Sequence, residues 1–256
     1  LAAGGMIPGI KVDKGAHPLA GSPEEKVTEG LDGLRDRLAE YAGLGARFTK
    51  WRAVITIGEG IPTDYCIRVN AHALARYAAL SQEAGRVPIV EPEVLMDAGN
   101  TIEVCHEVTL RTLQHVFSEL EEQRVSLEGM LLKPNMVVSG KQCPVQAGAE
   151  QVAELTLTCF REAIPAAVPG IVFLSGGQSD EQATENLNAI NSHGAQPWTL
   201  SFSYGRALQA PALKAWGGRE ENVEAAQAAL AHRARCNSAA VAGRYSAELE
   251  GLARAT

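Results

Sequence analysis

Three lysines and two glutamates stand where short apolar segments of this 256-residue chain run out. In Leu127-Glu-Gly-Met-Leu-Leu-Lys133-Pro-Asn-Met136 the proline ends the apolar run, because it brings no N–H to a ladder and biases the residue before it towards extended backbone. Lys133 is therefore expected as the last residue of a strand. Gly9-Ile-Lys11-Val-Asp13 and Phe48-Thr-Lys50-Trp-Arg52 carry lysines in the same way, and Pro88-Ile-Val-Glu91-Pro-Glu93 carries the carboxylates. A lone lysine at a strand end usually packs its stem and sends its ammonium to water. If these strands all point one way round a single barrel, the three lysines and two glutamates converge on one mouth.

The chemistry open to such a group is amine catalysis. A lysine nucleophile must be neutral, which at pH 7 requires its pKa to fall from about 10.4 to about 7, or roughly 4–5 kcal/mol. A second cation about 5 Å away supplies roughly 3 kcal/mol at an effective dielectric of 20, and partial burial can supply the rest. Lys50 is the expected neighbour of Lys133. A neutral Lys133 can attack a ketone, and the resulting iminium weakens the adjacent carbon–carbon bond without a metal. Glu91 is the leading general acid/base, with Glu93 second. The alternative role for Glu91 is to neutralise buried lysines, and the two roles can coexist.

These residues need a scaffold of alternating strands and helices. Met6 to Val12 reads as a first strand, followed by a loop through Pro23; Val27 to Ala42 has helical spacing at Leu31, Leu34, Leu38 and Tyr41. Arg47–57, 87–90, 127–132, 170–174 and 198–202 read as the further strands. Helices are expected over 63–84, 101–123, 147–163, from about 180 and from about 207, with an alanine-rich helix over 219–242. In the helix over 63–84, Cys66, Val69, Leu74 and Tyr77 are expected to face inwards. Strict alternation of short apolar strands with helices implies a parallel α/β sheet. No Gly-x-Gly-x-x-Gly turn follows the first strand, so a (β/α)8 TIM barrel is preferred to an open dinucleotide-binding sheet. Six of its eight βα units are visible, within one domain spanning 1–256, with a C-terminal helix and tail from about 219.

Composition limits the partners. The net charge of −7 argues against a general nucleic-acid surface. No apolar run is long enough to span a bilayer. Five cysteines without a Cys-x-x-Cys pair read as reduced thiols, and the six histidines show no recognised metal spacing, so neither a metal nor another cofactor is expected. A small anion remains possible where basic groups are local. Ser175-Gly176-Gly177 follows the fifth strand and Ser203-Tyr-Gly205-Arg206 the sixth. Phosphates commonly sit on the loops after the last two strands of a β/α barrel. Glycine turns leading into helices offer backbone N–H groups there, and Arg206 offers a bidentate cation.

Together, Gly-Ile-Lys11-Val-Asp13-Lys-Gly, Lys50-Trp-Arg52, Val-Glu91-Pro-Glu93, Leu-Leu-Lys133-Pro-Asn-Met, Leu-Ser175-Gly-Gly-Gln-Ser and Phe-Ser-Tyr-Gly205-Arg206-Ala resemble class I fructose-bisphosphate aldolase, from about Gly4 to Tyr245. The resemblance implies that Lys133 is the Schiff-base lysine, Lys50 the lysine beside it, Glu91 the acid/base and Glu93 a supporting carboxylate. It places Ser175, Gly176, Gly205 and Arg206 at the phosphate nearest the ketone, and Lys11 and Arg52 towards the other phosphate. Asp13, Gly177 and Ser203, in the same motifs, are counted with the substrate-binding set.

The implied reaction is reversible cleavage of fructose 1,6-bisphosphate to dihydroxyacetone phosphate and glyceraldehyde 3-phosphate, in glycolysis, gluconeogenesis or a plastid sugar cycle. A cytoplasmic homotetramer is the implied setting, with a plastid also possible. The family's first two strands, its active-site aspartate and its terminal tyrosine have no counterpart in this sequence. The chain alone is therefore expected to be weak or inactive. Two other readings stand beside this one: a non-catalytic phosphosugar-binding or scaffold product, and another Schiff-base barrel lyase.

Overall fold

The computed structural model describes residues 2–251. In chain order the elements are β1 (Gly9–Lys11), β2 (Ala16–Leu19), β3 (Ser22–Thr28), α1 (Leu34–Gly43), β4 (Phe48–Ile55), α2 (Asp64–Glu83), β5 (Val87–Val94) and α3 (Ile102–Glu122). They continue with β6 (Leu131–Leu132), α4 (Ala149–Ala163), β7 (Gly170–Phe173), α5 (Asp180–Ser192), β8 (Thr199–Phe202), α6 (Arg206–Trp216), α7 (Val223–Val241) and α8 (Ala247–Gly251). Strands β1, β4, β5, β6, β7 and β8 form one parallel sheet in that order. This is an α/β fold of the TIM-barrel type, with six βα units in the described residues.

Strand β4 shows why the sheet has a dry side. Thr49, Trp51 and Ala53 are buried, while Lys50 and Arg52 between them are only half-buried, as period-two alternation demands. Trp51 stacks on Tyr77 of α2, with ring centroids 5.5 Å apart. The Tyr77 hydroxyl donates to the Ile89 carbonyl at 3.1 Å. Thr49 Oγ1 lies 2.9 Å from the Ser81 hydroxyl, so both hydroxyls are satisfied, whereas the buried Trp51 indole N–H has no partner. Of the four inward positions expected in α2, Cys66, Leu74 and Tyr77 are fully buried and Val69 only partly. Phe160 of α4 stacks on Phe173 of β7 in the same manner.

Several expectations need correction. The loop expected through Pro23 contains a β2–β3 hairpin, which interrupts the strict strand–helix alternation. Its period is hard to read because the buried face includes a carboxylate, Glu25. The helix expected from Val27 begins only at Leu34, because 22–28 is strand and Gly30 and Gly33 have φ of 127° and 64°. A side chain at Gly30 would also place Cβ 2.9 Å from the Lys14 backbone nitrogen, so this turn packs backbone to backbone.

Several strands differ in length from their expected spans: β1 keeps only Gly9–Lys11 of the expected 6–12 and β4 runs over Phe48–Ile55 instead of 47–57, and two further differences bear on the site. Residues 127–129 form a 3-10 turn before the two-residue β6. Lys133 therefore falls just past the strand, although its N–H still bonds the Val90 carbonyl at 2.8 Å. Strand β5 runs on to Val94, so Glu91 and Glu93 lie within it rather than beyond it.

Glu25 ties the hairpin to the start of α2. It accepts from the Thr63 N–H and hydroxyl, both at 2.7 Å, and from the Ser22 hydroxyl at 2.6 Å. Burial pushes the Glu25 pKa up, but these hydrogen bonds from Ser22 and Thr63 outweigh it and hold it below the ordinary 4.5. A depressed carboxyl pKa stabilises the fold above the unfolded value, and that contribution is lost as pH falls through the folded value. Glu25→Gln is expected to lower stability at pH 7 by about 1–3 kcal/mol. The deficit should shrink as the pH is taken below 4.5, as followed by urea unfolding at a series of pH values.

Candidate active site

Parallel register brings the chemistry together. Lys11 pairs with Lys50 across β1 and β4, and Arg52 pairs with Glu91 across β4 and β5. Leu132 pairs with Val90, so the next residue, Lys133, stands level with Glu91. Asp13, two residues past Lys11, extends the same row and accepts from the Arg52 N–H at 3.1 Å. Because side chains alternate, Lys50, Arg52, Glu91, Glu93 and Lys133 share the face opposite Trp51.

At the centre is Glu91, whose carboxylate is buried. Lys50 Nζ lies 2.7 Å from Glu91 Oε2 and Lys133 Nζ lies 3.3 Å from Glu91 Oε1. Oε2 accepts no aligned hydrogen bond, so its contact with Lys50 is one of charge. Glu93 takes the Arg52 guanidinium on its Oε2. Burial lowers the Arg52 pKa, but the hydrogen bond and charge of Glu93, with Glu91 and Asp13 beyond, raise it overall. Arg52 is therefore a fixed cation.

A cavity of about 350 Å³ opens on this cluster, lined by Arg52, Glu91, Glu93 and Lys133 on one side and by Ser175, Gly176, Ser203, Gly205 and Arg206 on the other. That volume lies within the range of small-molecule sites. Lys11 and Asp13 are not in its lining. Lys11 turns onto Asp13, whose carboxylate also receives the Gly15 N–H at 3.1 Å. Lys50 reaches the site through Glu91.

The two glycine turns differ. Gly205 is the N-cap of α6 with no side-chain cap, so the first N–H groups of that helix remain open to a ligand. The turn after β7 does not run straight into its helix. Ser179 intervenes and caps α5 itself, accepting from the Gln182 N–H at 3.1 Å. Gly176 sits at φ 57°, and its carbonyl accepts from Arg206, which joins the two turns. The Gly177 N–H points at Met96 Sδ, 3.2 Å away, and its Cα is covered by the Lys141 side chain.

Sequence reasoning missed Met96, Asp97 and Lys141. Lys141 donates to Asp97 at 2.7 Å, and residues 140–142 bond back to 96–100 through three backbone hydrogen bonds. One clasp therefore connects the loops after β5, β6 and β7. A single lysine in a loop carries no periodic signal. The glycine at position 140 was the available clue, because a Cβ there would lie 2.2 Å from the Ala98 carbonyl.

A parallel β/α sheet that gathers lysines, carboxylates and glycine turns around one cavity at its strand C-termini is the arrangement of a β/α-barrel enzyme. The family model for glycolytic, class-I fructose-bisphosphate aldolase matches residues 1–256. A probable fructose-bisphosphate aldolase class 1 of Xanthomonas axonopodis pv. citri is 59% identical over 246 residues, covering 96% of this chain and 74% of that protein. The cytosolic fructose-bisphosphate aldolase 4 of Arabidopsis thaliana is 53% identical over 247 residues, covering 96% and 63%. The solved fructose-bisphosphate aldolase of Plasmodium falciparum, in complex with TRAP and a small-molecule inhibitor, superposes with a TM-score of 0.94 at 51% identity, covering 96% of this chain and 72% of that one. The chain belongs to the class-I fructose-bisphosphate aldolase family, a family of carbon–carbon lyases.

The clasp makes a prediction. Gly140→Ala meets backbone and should destabilise the protein by about 1–3 kcal/mol, as overpacking does. Gly177→Ala meets only the flexible end of Lys141, displaces it from Asp97 and should cost less. Thermal unfolding of the two variants checks the ranking, and the reverse order would contradict it.

Proposed function

We propose that Lys133 is the nucleophile that cleaves fructose 1,6-bisphosphate, and that Glu91 moves the protons. The observation that carries this reading is the single buried carboxylate held between two lysines, 2.7 Å from one and 3.3 Å from the other. The Lys133 amine adds to the C2 ketone, and Glu91 protonates the departing hydroxyl so that water leaves and an iminium forms. Removal of the C4 hydroxyl proton breaks the C3–C4 bond and releases glyceraldehyde 3-phosphate. The bonding electrons pass into an enamine on Lys133. Protonation at C3 and hydrolysis of the iminium release dihydroxyacetone phosphate and restore the amine.

Lys50, 2.7 Å from Glu91 Oε2, positions that carboxylate beside Lys133. Glu93 fixes the Arg52 guanidinium, and Arg52 with Lys11 and Asp13 serves the side of one phosphate. Ser175, Gly176, Gly177, Ser203, Gly205 and Arg206 serve the phosphate nearest the ketone, with the uncapped start of α6 as the principal anion site. The chain acts as one β/α domain with α7 and α8 packed on its outside. Relatives in Arabidopsis thaliana and Pisum sativum are named as cytosolic or cytoplasmic, which supports a cytoplasmic setting. Assembly as a homotetramer completes the reading, and light scattering would test it.

Steady-state kinetics with fructose 1,6-bisphosphate test the assignment. Lys133→Met should abolish turnover. Glu91→Gln should lower kcat by about 10²- to 10⁴-fold with KM little changed. Arg206→Ala should act mainly on KM. Turnover retained by Lys133→Met, or a Glu91→Gln effect confined to KM, would refute the roles of nucleophile and proton carrier.

A further inference from the structure

Far along the chain from these motifs, α7 and α8 build a second polar cluster that the aldol reaction does not use. His232 and Cys236 lie one helical turn apart on α7, so both project from the same face. Both are buried, and Glu250 of α8 closes over them. His232 Nε2 is 3.2 Å from Glu250 Oε2 and 3.6 Å from Cys236 Sγ. All three donor atoms fall within 4.8 Å of one another. One imidazole nitrogen thus faces a carboxylate and a thiol at once, and a single hydrogen cannot be aligned with both.

We propose that His232, Cys236 and Glu250 form a binding site for a borderline divalent cation such as Zn²⁺. For a tetrahedral zinc with bonds of about 2.3 Å to sulfur and about 2.0–2.1 Å to nitrogen and oxygen, the nitrogen–sulfur and nitrogen–oxygen edges are about 3.5 and 3.3 Å. The measured 3.6 and 3.2 Å correspond to those edges. A thiolate and a carboxylate neutralise the ion, and the thiol proton goes to solvent on binding. Glu250 is already oriented, since its Oε1 receives the Tyr245 hydroxyl at 2.7 Å and Arg233 Nη1 bridges Oε1 and Oε2 at 2.7 and 2.6 Å, so a bound ion would share Oε2 with Arg233 or displace it to Oε1. Hydrogen-bonded outer partners of this kind hold a carboxylate ligand in place.

A cavity of about 340 Å³ reaches Glu250 and is lined by two further carboxylates, Glu181 and Glu185, while His232 and Cys236 lie behind Glu250, outside its lining. The ion would staple α8 to α7. Because Arg233 also donates to the Asp180 carbonyl at 3.0 Å, the staple extends to the start of α5, behind the glycine turn of the active site. The rival account is that Arg233 alone holds Glu250 through its close ion pair.

Titration of the full chain with Co²⁺ separates the two. The site predicts one Co²⁺ per chain with a thiolate-to-cobalt charge-transfer band that Zn²⁺ abolishes by displacement. The band should vanish in Cys236→Ser, and affinity should fall at least about tenfold in both His232→Ala and Glu250→Gln. Zn²⁺ should also raise the unfolding temperature of the unaltered chain and leave that of Cys236→Ser unchanged. No band at millimolar Co²⁺, or a band that survives in Cys236→Ser, would overturn the proposal. So would an affinity indifferent to Glu250→Gln, a change that keeps size and shape should the buried variants fail to fold.

Discussion

One buried carboxylate shared by two lysines is the constraint around which the active end of this protein is arranged. An unpaired carboxylate at the depth of Glu91 would cost several kcal/mol, and one lysine alone would leave the opposite oxygen unbalanced. Lys50 and Lys133 meet it from neighbouring strands on either side. The same arrangement brings both lysine side chains onto one carboxylate at the cavity. Stability and reactivity therefore rest on one contact, and loss of either lysine would alter the charge felt by the other.

Parallel pairing makes that contact possible. Strands that pair in register carry equivalent positions in level rows, so Arg52 and Glu91 line up, and Asp13 and Lys133, just past the ends of their strands, extend the row. In the proposed reading the reacting groups sit on strands or just past their ends, and the anion site sits on turns. The Arg206 bond to the Gly176 carbonyl and the Lys141 clasp on Asp97 then restrain the loops relative to one another. Precise groups sit on ladders and adaptable ones on turns, the usual division in β/α folds.

Much of this was legible in the chain. The short apolar segments carrying Lys11, Lys50 and Lys133 marked strands, with Lys11 closing β1, Lys133 just past β6 and Lys50 inside β4, and the two glycine turns marked the far wall of the cavity. The β2–β3 hairpin was not legible because its inward position 25 is a glutamate, satisfied only by Thr63 and Ser22 once folded. The late start of α1 was hidden by apolar residues at helical spacing, and the backbone demand of Gly30 overrode that spacing. Met96 over Gly177 could not be read at all, since its partner lies 81 positions away. The His232–Cys236–Glu250 cluster escaped for a related reason: its spacing matches no familiar zinc motif, and its third member arrives on a separate helix.

The most direct test of the account is where substrate attaches. Borohydride reduction in the presence of dihydroxyacetone phosphate, followed by peptide mass spectrometry, should place one secondary-amine adduct on the peptide containing Lys133. Lys50→Met should slow its formation without moving it, and Lys133→Met should abolish it. An adduct on Lys50 or Lys11, or labelling that persists in Lys133→Met, would contradict the central role assigned to Lys133.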